Sequence, residues 1–217
     1  MDEPLFSLQN LTYSYDGKTL IFDQFSFDVL KGETIFLTGP NGIGKTTLLQ
    51  IIAGLLSNGH LTYRAYYKGN PIQLVAIRRY ISYVTADPPL FSKLTGYENI
   101  ECFRLLWRLD RAYYQKVEAI CHTLGMADWL ALPVDQYSLG TLQKLHIAIA
   151  LGRPVELYLM DEPFNSLDVT TRDILAEWIQ TENRGASYII ASHVYQDKFP
   201  SARVLTLARP VRKEGIW

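Results

Sequence analysis

The chain has 217 residues, 48% of them hydrophobic, which is enough to bury a substantial core in one large or two small domains. Its formal net charge is −1, from 21 basic and 22 acidic residues, and this balance does not favour binding to nucleic acid or anionic lipid. The N-terminus is acidic and lacks an apolar signal region, and no stretch is apolar over the length of a membrane-spanning helix. We therefore expect a globular protein that is not secreted, does not insert into a membrane and has no nucleic-acid partner.

The N-terminal part of the sequence predicts β-structure. Apolar residues alternate over residues 5–15, and Asp16-Gly17 follows as a hairpin turn signal. A second alternating run covers residues 21–30 and ends at Lys31-Gly32-Glu33, before a short apolar strand at residues 35–37. These runs predict an antiparallel β-subdomain at the start of the chain.

Residues 39–47 match the pattern G-x-x-x-x-G-K-[ST] between a strand and a helix, the context that a phosphate-binding loop requires. The glycines allow a tight turn whose backbone N–H groups, with the helix N-terminus, form an anion site. Lys45 adds a positive charge for the β- and γ-phosphates, and the Thr46 hydroxyl is a ligand for Mg²⁺. The predicted nucleotide-binding residues are Gly39, Pro40, Asn41, Gly42, Ile43, Gly44, Lys45, Thr46 and Thr47.

Helical spacing continues from the phosphate loop to residue 56, and Ser57-Asn58-Gly59 predicts the end of this helix. Strand patterns follow at residues 61–67, with a turn at Lys68-Gly69-Asn70, and at residues 80–85. The β-structure therefore continues beyond the first helix.

Residues 87–151 contain no convincing strand, and Thr95 and Glu98 have the spacing of a helix capping box. This region is predicted to be an all-helical insert. After it the alternation resumes, with strands predicted at 155–160, 187–191 and 203–207 and a helix at 170–181.

Apolar strands separated by helices predict a parallel sheet covered on both faces. The predicted fold class is α/β, a P-loop NTPase core with a mostly parallel sheet, an N-terminal antiparallel β-subdomain and an all-helical insert. We expect one domain, in which residues 1–86 and 152–217 form the α/β core with the β-subdomain and about 87–151 form the helical subdomain.

The apolar strand at residues 157–160 ends in two acids, Asp161 and Glu162. Both carboxylates are expected at the carboxyl edge of the sheet, where open α/β sheets bind ligands. Asp161 is expected to hold Mg²⁺ together with Thr46, and Glu162 to polarise an attacking water. Two acids at a strand end are weak support alone, but combined with a phosphate loop they become specific.

With these motifs the sequence resembles the ATP-binding cassette (ABC) ATPases over residues 5–207. Asp161-Glu162-Pro163 matches the family's Walker B sequence, and Asn165-Ser166-Leu167-Asp168 is similar to its D-loop. Ser192-His193, after an apolar strand, resembles the switch histidine. The resemblance implies that Glu162, His193 and Lys45 are catalytic and that Asp168 belongs to the nucleotide site.

The resemblance also implies that an aromatic ring upstream of Gly32-Glu33 stacks on adenine. Tyr15 falls at that position, and Tyr13 is the alternative. A half-buried strand residue is the other interpretation of either tyrosine.

The signature motif of the family is altered in this chain. Tyr137-Ser138-Leu139-Gly140-Thr141 stands where the family has L-S-G-G-Q, so Ser138 and Gly140 are retained while Leu139 and Thr141 are substitutions. The resemblance implies that Ser138, Gly140 and the helix N-terminus meet the γ-phosphate held by the opposite subunit. A plain N-cap is a compatible role for Ser138.

The Q-loop is also altered. The family usually has a glutamine here that contacts Mg²⁺ and the attacking water, whereas this sequence has Ala86 followed by Asp87-Pro88-Pro89. A methyl group cannot make those contacts. Either a neighbour such as Asp87 makes those contacts through a shifted loop, or ATP hydrolysis is slower and less tightly coupled. We expect modest impairment, because Glu162 and His193 remain.

Residues 91–114 combine aromatic residues with Arg104, Arg108 and Arg111. Because Arg104 and Arg108 are four residues apart, they are predicted to share one helix face. A helix with one core-facing side explains this pattern. In the family, however, the insert and the Q-loop grip a membrane subunit, so an exposed aromatic patch here would be a docking site.

The function that the resemblance implies is the ATPase subunit of an ABC transporter. It would dimerise on Mg-ATP with a second ABC subunit and act through a separate integral membrane subunit, at the cytoplasmic face of the membrane. The short segment at residues 208–217 leaves no room for a substrate-sensing domain, which favours an exporter. The alternative is a nucleotide-dependent binding or regulatory module with weak hydrolysis, suggested by Ala86 and the altered signature.

Overall fold

A computed structural model describes residues 3–57, 60–181 and 185–210. The strands are β1 (Phe6–Ser14), β2 (Leu20–Val29), β3 (Thr34–Thr38), β4 (Leu61–Tyr67), β5 (Asn70–Pro71), β6 (Ile81–Val84), β7 (Leu157–Asp161), β8 (Ser187–Ala191) and β9 (Arg203–Thr206). The helices are α1 (Lys45–Ile52), α2 (Leu74–Ile77), α3 (Gly96–Leu106), α4 (Arg111–Thr123), α5 (Leu139–Gly152) and α6 (Val169–Thr181). Two 3₁₀ turns lie at Val134–Gln136 and Gln196–Lys198.

The first sheet is antiparallel and has the strand order β2-β1-β4-β5. Its central strand β1 pairs with β2 on one side and with β4 on the other, and Phe6, Leu8, Leu11 and Tyr13 on it are fully buried. The predicted N-terminal β-subdomain is therefore present among the described residues.

The second sheet is parallel and has the strand order β6-β7-β8-β3-β9. Strands β7 and β8 are buried along their whole length, as expected for a sheet covered on both faces. Because these strands run in the same direction, the segments after β3, β7 and β8 emerge at one edge. These segments are the phosphate loop, the acidic pair and the Ser192-His193 segment.

The parallel sheet separates two hydrophobic clusters. On β3, Phe36 packs into the cluster formed with the helical region, while Ile35 and Leu37 pack into the cluster shared with the antiparallel sheet. The same alternation holds on β8, where Ile190 and Ile189 face opposite clusters. Successive side chains of these strands therefore pack against opposite faces of the parallel sheet, as the period of two requires.

Helices α3, α4 and α5 form the helical region that the sequence predicts. The capping box at the start of α3 is present, since the Thr95 hydroxyl accepts from the Glu98 N–H at 3.2 Å and a Glu98 carboxylate oxygen accepts from the Thr95 N–H at 2.8 Å. Asp110 caps α4 in the same way, by accepting from Ala112 and Tyr113 N–H groups.

Arg153 ties the helical region to the parallel sheet. It follows α5, and its guanidinium donates to the carbonyl oxygens of Ile81 and, at 2.7 Å, Arg78, which flank the start of β6. The same guanidinium lies over the Trp107 ring, 4.9 Å from its centroid. This contact joins the end of α3 to the core.

Helix α1 ends at Ile52, so the prediction that it continues to residue 56 was wrong. Gly54 adopts a left-handed backbone with φ 66°, its N–H donates to Ile51 O, and the Leu55 N–H donates to Gln50 O. These two bonds form a Schellman ending, which satisfies the last carbonyls. Asn58 and Gly59 of the predicted stop signal lie outside the described residues.

The prediction that Arg104 and Arg108 share a helix face was also wrong. Helix α3 ends at Leu106, and Arg108 has φ 54° in a second Schellman ending, where the Leu109 N–H donates to Arg104 O at 2.9 Å. Arg104 instead pairs with Glu101 at 2.6 Å. Glycine normally marks this kind of ending, and here arginine takes its place, so no stop signal is visible in the sequence.

Candidate nucleotide-binding site

The phosphate loop follows β3 and needs its glycines for two reasons. Gly39 and Gly44 have φ of 135° and 114°, a backbone region that other residues rarely adopt. A Cβ atom on Gly39 would lie 2.9 Å from Leu207 O, and one on Gly44 would lie 2.8 Å from a methyl carbon of Ile21. Gly44 is also the N-cap of α1, so its lack of a side chain leaves the first amides of the helix facing the loop.

Lys45 lies inside this loop and is only 8% exposed. Its ammonium donates to Gly39 O at 2.9 Å and meets His193 Nε2 at 2.8 Å. An ammonium has no acceptor, so Lys45 can only donate in both contacts. Two predicted site residues from distant parts of the chain are therefore in direct contact.

Asp161 and Glu162 lie beside the loop, as the position of β7 requires. Asp161 is 3% exposed and hydrogen-bonds the Thr46 side chain; burial raises its pKa, while Thr46 and Lys45 oppose the rise. Burial also raises the pKa of Glu162, against the opposing effects of His193 and Lys45. A carboxylate with a raised pKa is a better proton acceptor, which suits a general base.

Glu162 has a strained backbone, with φ of 48°. Its N–H donates to Ala191 O at 2.8 Å, which joins the end of β7 to the end of β8. Strain of this kind persists where the surrounding structure holds it, and it is frequent at functional sites.

Lys45, the acidic pair and part of the phosphate loop line a cleft of about 440 Å³. Two other clefts are of similar or larger size, about 450 Å³ between α4 and α6 and about 650 Å³ beside Tyr67 and Tyr80. Volume therefore does not single out the site, but the convergence of loop, lysine and acids does. The lining residues are Tyr15, Ile21, Asn41, Gly42, Gly44, Lys45, Thr46, Thr47, Asp161 and Glu162.

Of the two candidate tyrosines, the structure places only Tyr15 at this cleft. Tyr15 is 55% exposed, and its hydroxyl is 2.9 Å from the Thr47 hydroxyl oxygen. Tyr13 is fully buried in the antiparallel sheet and packs edge-on against the Tyr15 ring, with 5.0 Å between centroids. Of the two rings, Tyr15 is therefore the one with an exposed face.

Ser138, Gly140 and Asp168 do not line this cleft and form a second surface. Ser138 caps α5, because its hydroxyl accepts from the Thr141 N–H at 3.2 Å. A Cβ on Gly140 would lie 2.6 Å from Ser166 O, so the two segments touch. Only glycine permits this approach.

Asp168 connects α5 and α6. It accepts from the Thr171 N–H at 2.9 Å and from the Thr171 hydroxyl at 2.7 Å, and it pairs with Lys144 at 3.2 Å. These donors hold the pKa of Asp168 well below its usual range, and the two hydrogen bonds from Thr171 have the largest effect. The carboxylate therefore stays ionised and keeps the two helix starts together.

Ala86 is exposed, and the Q-loop contributes no residue to the cleft lining. The Thr85 hydroxyl donates to Asp87 O at 2.6 Å, which turns the backbone just beyond β6. Asp87 itself does not line the cleft, so the structure gives no support to a direct replacement of the glutamine by Asp87.

Sequence reasoning missed two buried polar residues on α5, Gln143 and His146, each 4% exposed. His146 hydrogen-bonds the Thr85 backbone at the start of the Q-loop, and burial lowers its pKa to about 4. Among the described residues, His146 Nδ1 and Gln143 Nε2 have no hydrogen-bond partner. The signal in the sequence that could have identified them is the presence of polar residues within an otherwise apolar helix.

A family profile described as ABC transporter matches residues 22–165. The chain belongs to the ABC transporter family. This ABC chain is 30% identical over 194 residues to the lantibiotic transport ATP-binding protein SrtF of Streptococcus pyogenes, covering 89% of the chain and 82% of SrtF. It is 32% identical to the ABC transporter ATP-binding protein NatA of Bacillus subtilis (strain 168), covering 79% of the chain and 71% of NatA.

Solved structures show the same fold. A structure of the ATP-binding subunit of an ABC transporter superposes with a TM-score of 0.82 at 24% identity, covering 94% of this ABC chain and 85% of the other. CbiO1 of Clostridium perfringens, part of the transporter complex cbiONQ, gives a TM-score of 0.72 at 23% identity, covering 88% and 79%. The predicted family and fold class are therefore confirmed. Within residues 3–57, 60–181 and 185–210, no helix is long and apolar enough to cross a bilayer.

Proposed function

We propose that this ABC chain hydrolyses Mg-ATP as the motor subunit of a transporter. The observation that carries the proposal is the meeting of Lys45 and the acidic pair at one cleft, with His193 Nε2 2.8 Å from Lys45 Nζ. Motifs far apart in the sequence thus converge on the place where phosphates would bind. Relatives named as ATP-binding subunits of transport systems support the same proposal.

The phosphates would occupy the loop and the N-terminus of α1, where backbone N–H groups and the Lys45 ammonium neutralise their charge. Thr46 and Asp161 fit Mg²⁺, because a hydroxyl and a carboxylate already within hydrogen-bonding distance of each other are hard oxygen donors at the edge of the phosphate site. The bound ion would neutralise charge on the β- and γ-phosphates.

Glu162 is the proposed general base. Its raised pKa suits proton abstraction from an attacking water, and its strained backbone fixes the carboxylate at the cleft. His193 is proposed to contact the terminal phosphate, since the ring that now accepts from Lys45 borders the same space. Hydrolysis would release phosphate and leave ADP on the loop.

Lys45→Met is expected to weaken ATP binding about 10- to 100-fold, because the lost hydrogen bonds are made by a charged donor to a charged acceptor. Isothermal titration with ATP and Mg²⁺ measures this. Lys93→Met is the matched control, since Lys93 pairs with Asp135 on the surface at 2.8 Å, outside the cleft. Equal affinities for the two variants would contradict the assignment of Lys45.

Tyr15→Ala is expected to weaken ATP binding about 3- to 10-fold through loss of ring stacking on the base. Tyr15→Phe keeps the ring and removes only the contact with Thr47, so its affinity should stay near that of the wild type. Competition binding with ATP and with inorganic triphosphate, which has no base, separates the two effects. If Tyr15→Ala weakened both ligands equally, the ring would not contact the base.

The second surface supports a dimer in which each site is completed by another ABC subunit. Ser138 and Gly140 begin α5, and exposed apolar side chains flank them, with Leu139 74% and Val169 66% exposed. In the proposed dimer the N-terminus of α5 faces the γ-phosphate on the other subunit. The partner in this dimer would be a second copy of this chain or a different ABC subunit.

The end of α3 is the proposed docking site for an integral membrane subunit. Leu105 and Leu106 are 59% and 64% exposed there, and Phe91, which contacts Phe103 on α3, is 46% exposed. Phe103 and Trp107 are half-buried and pack on the core, so the exposed patch is smaller than the sequence pattern implies. We propose a location at the cytoplasmic face of the membrane and a role in export, as in a 34% identical relative that is named as an ATP-binding export protein for cytochrome c biogenesis.

The second candidate function is a nucleotide-dependent binding or regulatory module with weak hydrolysis. One specific feature favours it: Ala86 is exposed and the Q-loop lines none of the cleft. The comparison of hydrolysis rates argued in the Discussion separates this function from the motor.

A further inference from the structure

Tyr195, two residues after His193, has a strained backbone, with φ 67° and ψ 6°. A bulky residue is uncommon in this left-handed region, and such strain persists only where neighbouring contacts hold it. Neither the phosphate loop nor the acidic pair explains this conformation, because Tyr195 does not line the cleft.

Most side-chain contacts of Tyr195 reach the segment after the acidic pair and the start of α6, while Lys198 approaches the ring from the same loop as Tyr195. Its ring stacks on Phe164, with 5.2 Å between centroids and 18° between planes, and Phe164 is fully buried. Its hydroxyl donates to Val169 O at 3.4 Å. The Arg172 guanidinium lies 5.9 Å from the ring centroid. Tyr195 therefore joins the loop of His193 to residues 164–169.

Residues 164–169 are fixed in turn to the start of α5. Lys144 pairs with Asp168 at 3.2 Å, and Ser166 O fills the space where Gly140 would carry a Cβ. On the other side, His193 contacts Lys45. A continuous series of contacts thus runs from the phosphate loop, through Tyr195, to the surface that contains Ser138.

The contact between Lys45 and His193 is the member of this series that a bound nucleotide would affect directly. A phosphate that binds the Lys45 ammonium competes with His193 for the same donor. Once His193 is released, the stack of Tyr195 on Phe164 would link the movement of its loop to that of residues 164–169, together with the contact between Phe199 and Phe164.

We propose that Tyr195 is a positioning residue that makes the loop of His193 and residues 164–169 respond to nucleotide as one unit. The proposal rests on the proposed ATPase function and extends it. Nucleotide on this chain's own phosphate loop would thereby set the position of the Ser138 and Gly140 surface that is offered to a second ABC subunit. The side chain does not touch substrate and acts through its two neighbours.

Tyr195→Ala tests the proposal, with Tyr195→Phe and Tyr80→Ala as controls. Tyr195→Ala should lower kcat for ATP about 5- to 10-fold while the KM stays within about twofold of the wild type, since coupling and not binding is lost. Tyr195→Phe keeps the ring stack and should match the wild type. Tyr80 also lies in a stacked pair, 4.6 Å from Tyr67 and remote from the cleft, so Tyr80→Ala should leave kcat unchanged.

A second measurement does not depend on turnover. Amide hydrogen exchange at residues 164–169 should slow when ATP binds to the wild type and should not respond to ATP in Tyr195→Ala. If Tyr195→Ala folds poorly, Tyr195→Gly replaces it, because glycine adopts the left-handed backbone without strain. An unchanged kcat together with an unchanged exchange response would overturn the proposal.

The kinetic and hydrogen-exchange measurements also distinguish a failure of this proposal from a failure of the proposed function. A wild type that binds ATP without releasing phosphate would overturn the motor, while the exchange response at residues 164–169 would still support or overturn the role of Tyr195. An equal loss of kcat in Tyr195→Ala and Tyr80→Ala would show general destabilisation and overturn the positioning role.

Discussion

Glu162→Gln is expected to lower the steady-state rate of phosphate release about 100- to 1,000-fold, the usual contribution of a general base. Glutamine keeps the size and the hydrogen-bonding ability of the side chain but cannot take a proton from water. ATP binding should remain, because the phosphate loop and Lys45 are unchanged. The measurement is phosphate release by the purified chain with Mg-ATP, with and without the proposed membrane subunit.

Glu177→Gln is the matched control, because Glu177 is a carboxylate on α6 outside the nucleotide cleft. It should hydrolyse ATP at the rate of the wild type. If the wild type releases phosphate no faster than Glu162→Gln under both conditions, the proposed motor function is contradicted. The binding or regulatory module is then the function that the result supports.

The second large effect concerns His146 and the stability of the fold in acid. Burial lowers the pKa of this histidine to about 4, against an ordinary value of 6.5. Between these values the unfolded chain binds a proton that the folded chain does not, so stability falls as the pH falls. The shift corresponds to about 3 kcal/mol of unfolding free energy lost between pH 7 and pH 4.

Other groups act in the same pH range and must be subtracted. Burial raises the pKa values of Asp161 and Glu162, and a raised carboxyl pKa adds stability as the pH falls. The pKa of Asp168 is lowered, so its contribution is lost only at pH values below the ordinary range of an aspartate. The slope of the wild type alone therefore does not isolate His146.

His146→Met isolates the effect, because methionine fills the site without a titrating group. Urea unfolding of both proteins at pH 7 and at pH 4.5 gives the difference. The wild type should lose about 2–3 kcal/mol more than the variant over this interval. His122→Met, on the last turn of α4, serves as the control. Equal losses in the wild type and His146→Met would contradict a neutral, buried histidine.

The sequence predicts the elements well wherever side-chain periodicity is strong. The buried strands β7 and β8 and the capping box at Thr95 follow from apolar runs and from one spacing rule. The ends of α1 and α3 were less predictable, because each depends on a single residue with a left-handed backbone. At Gly54 a signal existed, but at Arg108 the residue type points away from the conformation that it adopts.

The short elements β5 and α2 were not predicted at all. Two paired residues and one helical turn are too few for a period to be visible. They depend on tertiary contacts, since the Leu74 N–H donates to the Tyr63 hydroxyl at 3.2 Å and the Gln73 side chain accepts from the same hydroxyl at 3.0 Å.

For the site, the sequence identified residue types and the structure supplied their neighbours. Tyr13 and Tyr15 are indistinguishable by spacing, and burial places only Tyr15 at the cleft. The contacts of Tyr195 and His146 could not be predicted from the sequence, because both join segments that are far apart in the chain. No local pattern contains such information.

The position of β3 in the parallel sheet has a consequence for how the protein is made. Its two neighbours are β8 and β9, so the strand that carries the phosphate loop has no sheet partner until residues 187–206 have left the ribosome. Pairing of such distant segments is slow, because a long stretch of chain must close before any contact forms. The nascent chain therefore acquires its nucleotide site only after residues 187–206 have emerged, and cellular ATP can stabilise the fold only from that point.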